Sequence, residues 1–264
     1  MEFSSPPFSE PTPTGNPPYR RRELDTAGIA GILLAGAFLQ GLTGFGYSLF
    51  SLPLLLFLMP VQTAVPMLSA TSIFLNLLVL LQSRHSLDTK RILPLLFAGI
   101  AGLPPGIWLL KSLHGGTLKI VVGTLVTLSA IVYSSGFRLR IGRERLAMIP
   151  VGLASGILNG ATTFSGPPVI LFLANQDVVK HQFRASLAAY FLLLNIASIP
   201  AFVAGGLMTG QAALKTAYLF PAVVAGSLLG IRTARRVSEP LFRRLALAAL
   251  AVLGLISILN GVVT

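Results

Sequence analysis

The side chains that could do chemistry in this sequence are neutral amides and hydroxyls set inside long apolar segments. They form two groups: Gln40, Thr43, Ser48, Ser69, Thr71, Ser72 and Asn76, then Asn159, Thr162, Thr163, Ser165, Ser186, Tyr190, Asn195 and Ser198. The eight acidic residues and three histidines lie outside these segments or at their ends. With no paired carboxylates, nucleophile–base set or metal-ligand cluster, the sequence predicts no enzyme, cofactor or metal site. A proton relay through buried carboxylates is disfavoured for the same reason.

Two breaks rich in Gly, Thr and Ser interrupt the apolar segments, and each precedes a run too short to span a membrane. The first break, Thr43–Ser48, leads into the run 47–59, and the second, Thr162–Pro168, leads into the run 167–175. Such breaks predict discontinuous or re-entrant helices. Backbone N–H groups freed at the start of each short helix would favour a small anion. Alternatively, the polar side chains only hydrogen-bond one helix to another.

The elements that must position these groups are membrane helices. The chain has 264 residues, 53% hydrophobic and 11% charged, with a mean hydropathy of +0.79. Soluble domains carry about 25% charged residues. Continuous apolar segments predict an all-α integral membrane protein; they cover 27–43, 47–59, 62–82, 92–110, 118–136, 146–161, 167–175, 183–207, 213–231 and 242–262. The absence of cysteine from the sequence excludes disulfides and thiolate metal sites.

The net charge of +12 comes from short Lys/Arg clusters between the apolar segments. Loops of this kind orient membrane helices by the positive-inside bias and attract anionic lipid headgroups. We therefore predict a lipid bilayer partner and no nucleic-acid partner. Residues 1–26 hold six of the 18 prolines and bury no apolar surface, so we predict a disordered N-terminal tail.

The chain also repeats itself. Shifted by 119 residues, the segment 40–45 falls on 159–164, and Asn76 falls on Asn195. Shifted by 124 residues, the segment 98–107 falls on 222–231 with five identities in ten. These matches predict a first transmembrane repeat over 27–137, an Arg-rich linker over 138–143 and a second repeat over 144–264.

The distribution of Lys and Arg favours inverted repeats. If each broken segment crosses the membrane once, 11 of these residues lie inside and 9 outside, which is almost no bias. If each broken segment is a hairpin, 14 lie inside and 6 outside. We therefore predict two inverted repeats, each a broken or re-entrant hairpin plus three spanning helices, with ten segments and about eight full spans in all. Transporters commonly build a midplane site from such repeats.

The two breaks resemble those of the TauE/SafE sulfite exporter family, also called the toluene sulfonate uptake permease group. The first copy reads Gly41-Leu42-Thr43-Gly44-Phe45-Gly46-Tyr47, followed by Leu52-Pro53-Leu54, and the second runs from Gly156 to Pro168. The resemblance covers roughly residues 27–262. It implies a multi-pass protein of the plasma (inner) membrane that moves small sulfur-containing anions such as sulfite and sulfoacetate, often outward.

We therefore predict a secondary transporter, with export as the expected direction, that works by alternating access. The predicted substrate-binding residues are Gln40, Thr43, Gly44, Gly46, Tyr47, Asn76, Asn159, Thr162, Ser165, Gly166 and Asn195. His181 and Arg184 are candidates for an anion vestibule, because they follow the second short helix. A channel-like anion facilitator and a non-transporting assembly partner remain alternatives. The sequence leaves open which anion is moved, the direction of transport, the coupling ion, the membrane side of the termini and whether the chain forms a homodimer.

Overall fold

The computed structural model describes residues 18–83, 89–135, 144–174 and 180–233, and all regular secondary structure within these ranges is α-helical. The helices are α1 (Pro18–Thr43), α2 (Tyr47–Leu55), α3 (Val61–Ser83), α4 (Thr89–Ser112), α5 (Gly115–Ser135), α6 (Glu144–Thr162), α7 (Gly166–Ala174), α8 (Lys180–Ala204) and α9 (Gly210–Thr233). The predicted all-α class is confirmed for this part of the chain. The predicted linker 138–143 and last segment 242–262 lie outside the described residues.

Five of the described helices are long and apolar enough to cross a membrane. These stretches are Thr26–Thr43, Val61–Gln82, Ile92–Ser112, Gln182–Ala204 and Gly210–Thr233. Shorter apolar stretches lie in α5 and α6. Helices α2 and α7 have nine residues each, and nine residues rise only about 14 Å, half the thickness of the hydrocarbon layer. Large apolar side chains on the outer surface, such as Phe97, Trp108 and Tyr218, are suited to contact with lipid.

Part of the segment predicted to be disordered is helical. Helix α1 begins at Pro18, so residues 18–26, which we assigned to the disordered tail, are helical. Proline is favoured at the first helical position because its φ angle is already helical, and the following Arg-Arg-Arg-Glu-Leu run consists mostly of good helix formers. Residues 1–17 lie outside the described part of the chain.

Helices α4 and α6 pack at backbone contact distance along a series of glycines. A methyl group on Gly102 would overlap the carbonyl oxygen of Leu153. One turn further along, a methyl group on Gly106 would overlap that of Ile157. Because the contact positions increase together along both helices, α4 and α6 run parallel.

The same contacts recur between α1 and α9. A methyl group on Gly226 would overlap the carbonyl oxygen of Leu34, and one on Gly230 would overlap that of Phe38. These positions correspond to the α4–α6 contacts by the offsets of 119 and 124 residues seen in the sequence. Helices α1 and α9 therefore also run parallel.

Helix α8 lies beside α3 and α4. Along α4, Gly99 lies against Tyr190, and Ile107 lies against Gly205 just after the end of α8. Both positions increase together, so α4 and α8 run parallel.

Helix α2 turns back along α1. A methyl group on Gly36 of α1 would overlap the hydroxyl oxygen of Ser51 in α2. Closer to the start of α1, a methyl group on Gly28 would lie 3.3 Å from Leu58 Cδ1, just beyond α2. Because α2 retraces α1, the two helices form a hairpin around the first break.

Candidate functional site

The conformation of the first break is set by a threonine hydroxyl that bonds the backbone and by two glycines with left-handed backbone angles. Thr43 Oγ1 lies 2.9 Å from the Leu39 carbonyl oxygen and accepts a hydrogen bond of 3.3 Å from the Phe45 N–H. Gly44 has a φ of 87° and Gly46, the residue before α2, a φ of 99°. Only glycine adopts such angles at little cost, so the chain can leave α1 and start α2 within three residues.

The second break repeats this arrangement 119 residues later. Thr162 Oγ1 donates to the Leu158 carbonyl oxygen at 2.9 Å and accepts from the Phe164 N–H at 3.3 Å. Thr163 takes the place of Gly44 and has a φ of 62°. A β-branched residue in this region is strained, and such strain costs of order 1–3 kcal/mol.

This difference predicts opposite effects of two substitutions on stability. Gly46→Ala should lower the free energy of unfolding by roughly 1–2 kcal/mol through backbone strain alone, because the added methyl group would approach nothing closer than Leu39 Cδ2 at 3.6 Å. Thr163→Gly should raise it by about 1 kcal/mol by relieving strain. Thermal unfolding in detergent measures both, and a loss of stability in Thr163→Gly would contradict the strain argument.

Behind each break, an amide on the broken helix donates to an asparagine on the long helix that follows. Gln40 Nε2 donates to Asn76 Oδ1 at 3.0 Å, and Asn159 Nδ2 donates to Asn195 Oδ1 at 3.4 Å. All four side chains are buried, with at most 5% of their surface exposed. Each asparagine uses its carbonyl oxygen in this pair, which leaves its N–H₂ group as the donor for a ligand.

The second amide pair has additional hydrogen-bond partners, and one of its carbonyl oxygens accepts no hydrogen bond. Ser69 of α3 donates to Asn195 Oδ1 at 3.0 Å and lies 2.7 Å from the hydroxyl of Ser198. Asn159 Oδ1 is buried and has no hydrogen-bond partner among the described residues. The two halves therefore match in their main contact but differ in the groups around it.

Buried tyrosines fix the breaks against the long helices. Tyr47, at the start of α2, makes a hydrogen bond of 2.8 Å with Thr71 of α3. In the other half, Tyr190 of α8 donates to Ser155 at 2.9 Å, and Ser155 donates to the Ser165 carbonyl oxygen at 2.7 Å. Both links reduce the freedom of the loops, so the groups beside them are held in place.

A cavity of about 50 Å³ lies between the two breaks. Its lining comes from both halves: Gln40, Phe45, Gly46, Tyr47, Ser48, Leu49, Ser72, Asn76, Thr163, Phe164, Ser165, Gly166, Ile170, Phe191 and Asn195. These lining residues are all neutral. One buried water needs about 10–15 Å³ of such space, so the cavity has room for a group of a few atoms.

The structure brings seven of the eleven predicted substrate-binding residues to this cavity: Gln40, Gly46, Tyr47, Asn76, Ser165, Gly166 and Asn195. The other four stand behind it. Thr43 and Thr162 bond the backbone of their loops, Gly44 forms the turn, and Asn159 contacts Asn195.

The prediction missed several residues that line the cavity. Five are apolar, Phe45, Leu49, Phe164, Ile170 and Phe191. Three are polar, Ser48, Ser72 and Thr163; the sequence marked them as polar groups in apolar segments but not as substrate-binding residues. The offset of 119 residues relates Phe45 to Phe164 and would have marked that pair. Nothing in the sequence marks Phe191, because it is one of many aromatic residues in apolar segments.

The two predicted vestibule residues have different outcomes. Arg184 lies one turn into α8, and its guanidinium group contacts the first break at Gly44. His181 belongs to the first turn of α8, but its side chain lies outside the described part of the structure.

Comparison with known proteins relates this arrangement to a transporter family. A family model described as the sulfite exporter TauE/SafE matches residues 28–256, a range that includes both breaks and both amide pairs. The chain belongs to the TauE/SafE family. The resemblance predicted from the duplicated breaks is therefore confirmed. TauE/SafE is a family of membrane transporters, and the apolar helices agree with a multi-pass membrane protein.

One curated relative carries a more specific description. The probable sulfite/organosulfonate exporter TauE of Cupriavidus necator is 23% identical over 239 residues, which cover 88% of this chain and 93% of the relative. No solved structure matches the chain.

Proposed function

We propose that this protein is a secondary transporter that exports small sulfur-containing anions, such as sulfite or a short organosulfonate, across the plasma (inner) membrane. The observation that carries the proposal is the neutral cavity between the two breaks, lined by both halves of the chain. Membership in the TauE/SafE family and the similarity to an organosulfonate exporter support the substrate class.

The chemistry of the cavity is suited to an oxyanion. The amide N–H₂ groups of Asn76 and Asn195 and the hydroxyls of Ser48, Ser72 and Ser165 are hydrogen-bond donors that need no buried cation. The start of α2 adds backbone N–H groups and a partial positive charge. A volume of about 50 Å³ has room for a small oxyanion such as sulfite.

We further propose that the halves are inverted repeats that alternate access around this cavity. The parallel pairs α4–α6, α4–α8 and α1–α9 support this arrangement. Helices α8 and α9 are joined by only five residues, 205–209, so they form an antiparallel pair. Since α1 follows the direction of α9 and α6 follows that of α8, α1 and α6 oppose each other, as corresponding helices of inverted repeats do.

Counterflow in proteoliposomes tests the proposal. Vesicles loaded with unlabelled sulfite should accumulate external labelled sulfite transiently, because a carrier exchanges substrate faster than it returns empty. Empty vesicles and vesicles loaded with chloride are the controls. Uptake of the label without acceleration by internal substrate would indicate a channel-like facilitator. No uptake of sulfite, sulfoacetate or another short sulfonate would favour an assembly partner that transports nothing.

A further inference from the structure

Arg184 is a partly buried cationic residue of α8 whose position the neutral cavity does not explain. Its Nε atom is buried and has no hydrogen-bond partner among the described residues. A methyl group on Gly44 would lie 3.0 Å from Nε and 3.3 Å from Nη2, so the guanidinium covers the open side of this glycine. A buried N–H group without a hydrogen-bond acceptor is costly, and an anion that accepts from Nε would remove that cost.

Arg184 lies between the start of α8 and the cavity. Phe191, seven residues further along α8, lines the cavity, and seven residues correspond to about 10 Å along a helix. Gly44, which the guanidinium contacts, is followed directly by Phe45 and Gly46, and both line the cavity. An anion held by Arg184 would therefore be close to the central site but separate from it.

The position has no counterpart in the other half of the chain. The offset of 119 residues that relates the amide pairs places Val65 opposite Arg184, and Val65 is a fully buried apolar residue. The first half thus offers no equivalent cation on the corresponding helix. An anion bound by Arg184 would therefore lie near the start of α8, with no matching site near the start of α3.

We propose that Arg184 forms a second anion site, which binds the substrate on its way to or from the cavity and has no equivalent on α3. Its planar guanidinium can bond two oxygens of a sulfite or sulfonate group at once. Within the described residues, the position that matches Arg184 in the first half holds the apolar Val65, so α3 offers the substrate no equivalent cation. The identity of the anion rests on the proposed function, but the site itself can be tested without transport.

Two measurements on the purified full-length protein test the site. Arg184→Gln should raise the KM for sulfite in proteoliposomes about 10- to 100-fold, the usual value of a charge-assisted hydrogen bond. It should also reduce the thermal stabilisation of the detergent-solubilised protein by sodium sulfite, measured against sodium chloride at equal ionic strength. Arg184→Lys should fall between Arg184→Gln and wild type, because it retains the charge but loses the planar pair of donors.

Arg232→Gln is the matched control, because Arg232 is exposed at the end of α9 and its substitution removes the same charge. A wild-type KM and thermal shift in Arg184→Gln, with transport impaired in Asn195→Ala, would overturn the second site alone. A sulfite shift that disappears in Arg184→Gln, in a protein that transports no tested anion, would support the site and overturn the transport proposal. If the wild-type protein shows no sulfite-dependent thermal shift and transports no tested anion, both proposals are overturned. If Arg184→Gln fails to fold, Arg184→Lys decides, and wild-type behaviour in it contradicts the site.

Discussion

Asn195→Ala is expected to raise the KM for sulfite about 10- to 100-fold, and the double variant Asn76→Ala/Asn195→Ala to reduce transport below detection. Asn195 accepts hydrogen bonds from Ser69 and Asn159 and lines the cavity. Its removal takes away a ligand donor and leaves the buried Asn159 amide without its acceptor, a loss that costs about 1–3 kcal/mol. Ser69 keeps the Ser198 hydroxyl as a hydrogen-bond partner. Initial rates of sulfite transport in proteoliposomes, measured over a range of concentrations, give the KM.

A pair of glutamines provides the control for this prediction. Gln40 donates to Asn76 inside the cavity wall, whereas Gln82 is exposed near the end of α3. Gln40→Ala should impair transport in the same way as Asn76→Ala, and Gln82→Ala should leave it unchanged. Unaltered KM values in both Asn76→Ala and Asn195→Ala would remove the amide pairs from the site.

Gly156→Ala is expected to destabilise the helical bundle by about 3 kcal/mol or more, the upper end of the range for overpacking. The added methyl group would overlap the carbonyl oxygen of Gly99 and lie 2.7 Å from its carbonyl carbon. These atoms belong to the backbone of α4, so no side chain can rotate to make room. For a chain of this size the unfolding midpoint should fall by roughly 6–12 °C, measured by fluorescence during heating in detergent.

Gly31→Ala is the matched substitution, at a position of α1 that has no neighbouring atoms. A methyl group there would meet nothing within 4 Å, and alanine has the higher helix propensity by about 1 kcal/mol. We therefore expect Gly31→Ala to be neutral or stabilising. Gly226→Ala, at the α1–α9 contact, should behave like Gly156→Ala because it would overlap the carbonyl oxygen of Leu34. An equal midpoint for Gly156→Ala and Gly31→Ala would contradict the close approach of α4 and α6.

The positions of most helices can be predicted from the sequence, because they depend on local composition. The short runs predicted at 47–59 and 167–175 are α2, Tyr47–Leu55, and α7, Gly166–Ala174. The breaks were predictable since Gly, Thr and Ser interrupt an otherwise apolar stretch. The start of α1 was not, because a Pro-rich composition indicates disorder while Pro18 itself can begin a helix.

The inner face of each helix could not be predicted in the same way. In a soluble helix, polar residues mark the outer surface, but lipid and protein interior are equally apolar. Phe97 and Phe191 are both phenylalanines in long apolar segments, yet Phe97 is exposed on the outer surface and Phe191 lines the cavity. Likewise Thr43 and Ser48 occur in one break, but only Ser48 lines the cavity, while Thr43 bonds the backbone of the loop.

The sequence by itself determined an all-helical membrane chain with two broken helices, a charge-poor interior and a duplicated set of amides, because hydropathy and internal repetition can be read without contacts. The tertiary structure decided which of these amides meet, Gln40 with Asn76 and Asn159 with Asn195, and that the two breaks enclose one neutral cavity. It also decided that the cation at Arg184 lies against the first break, on the other half of the chain. The physical reason is that these contacts join residues 36 to 140 positions apart, and only the packing of the helices brings such distant residues together.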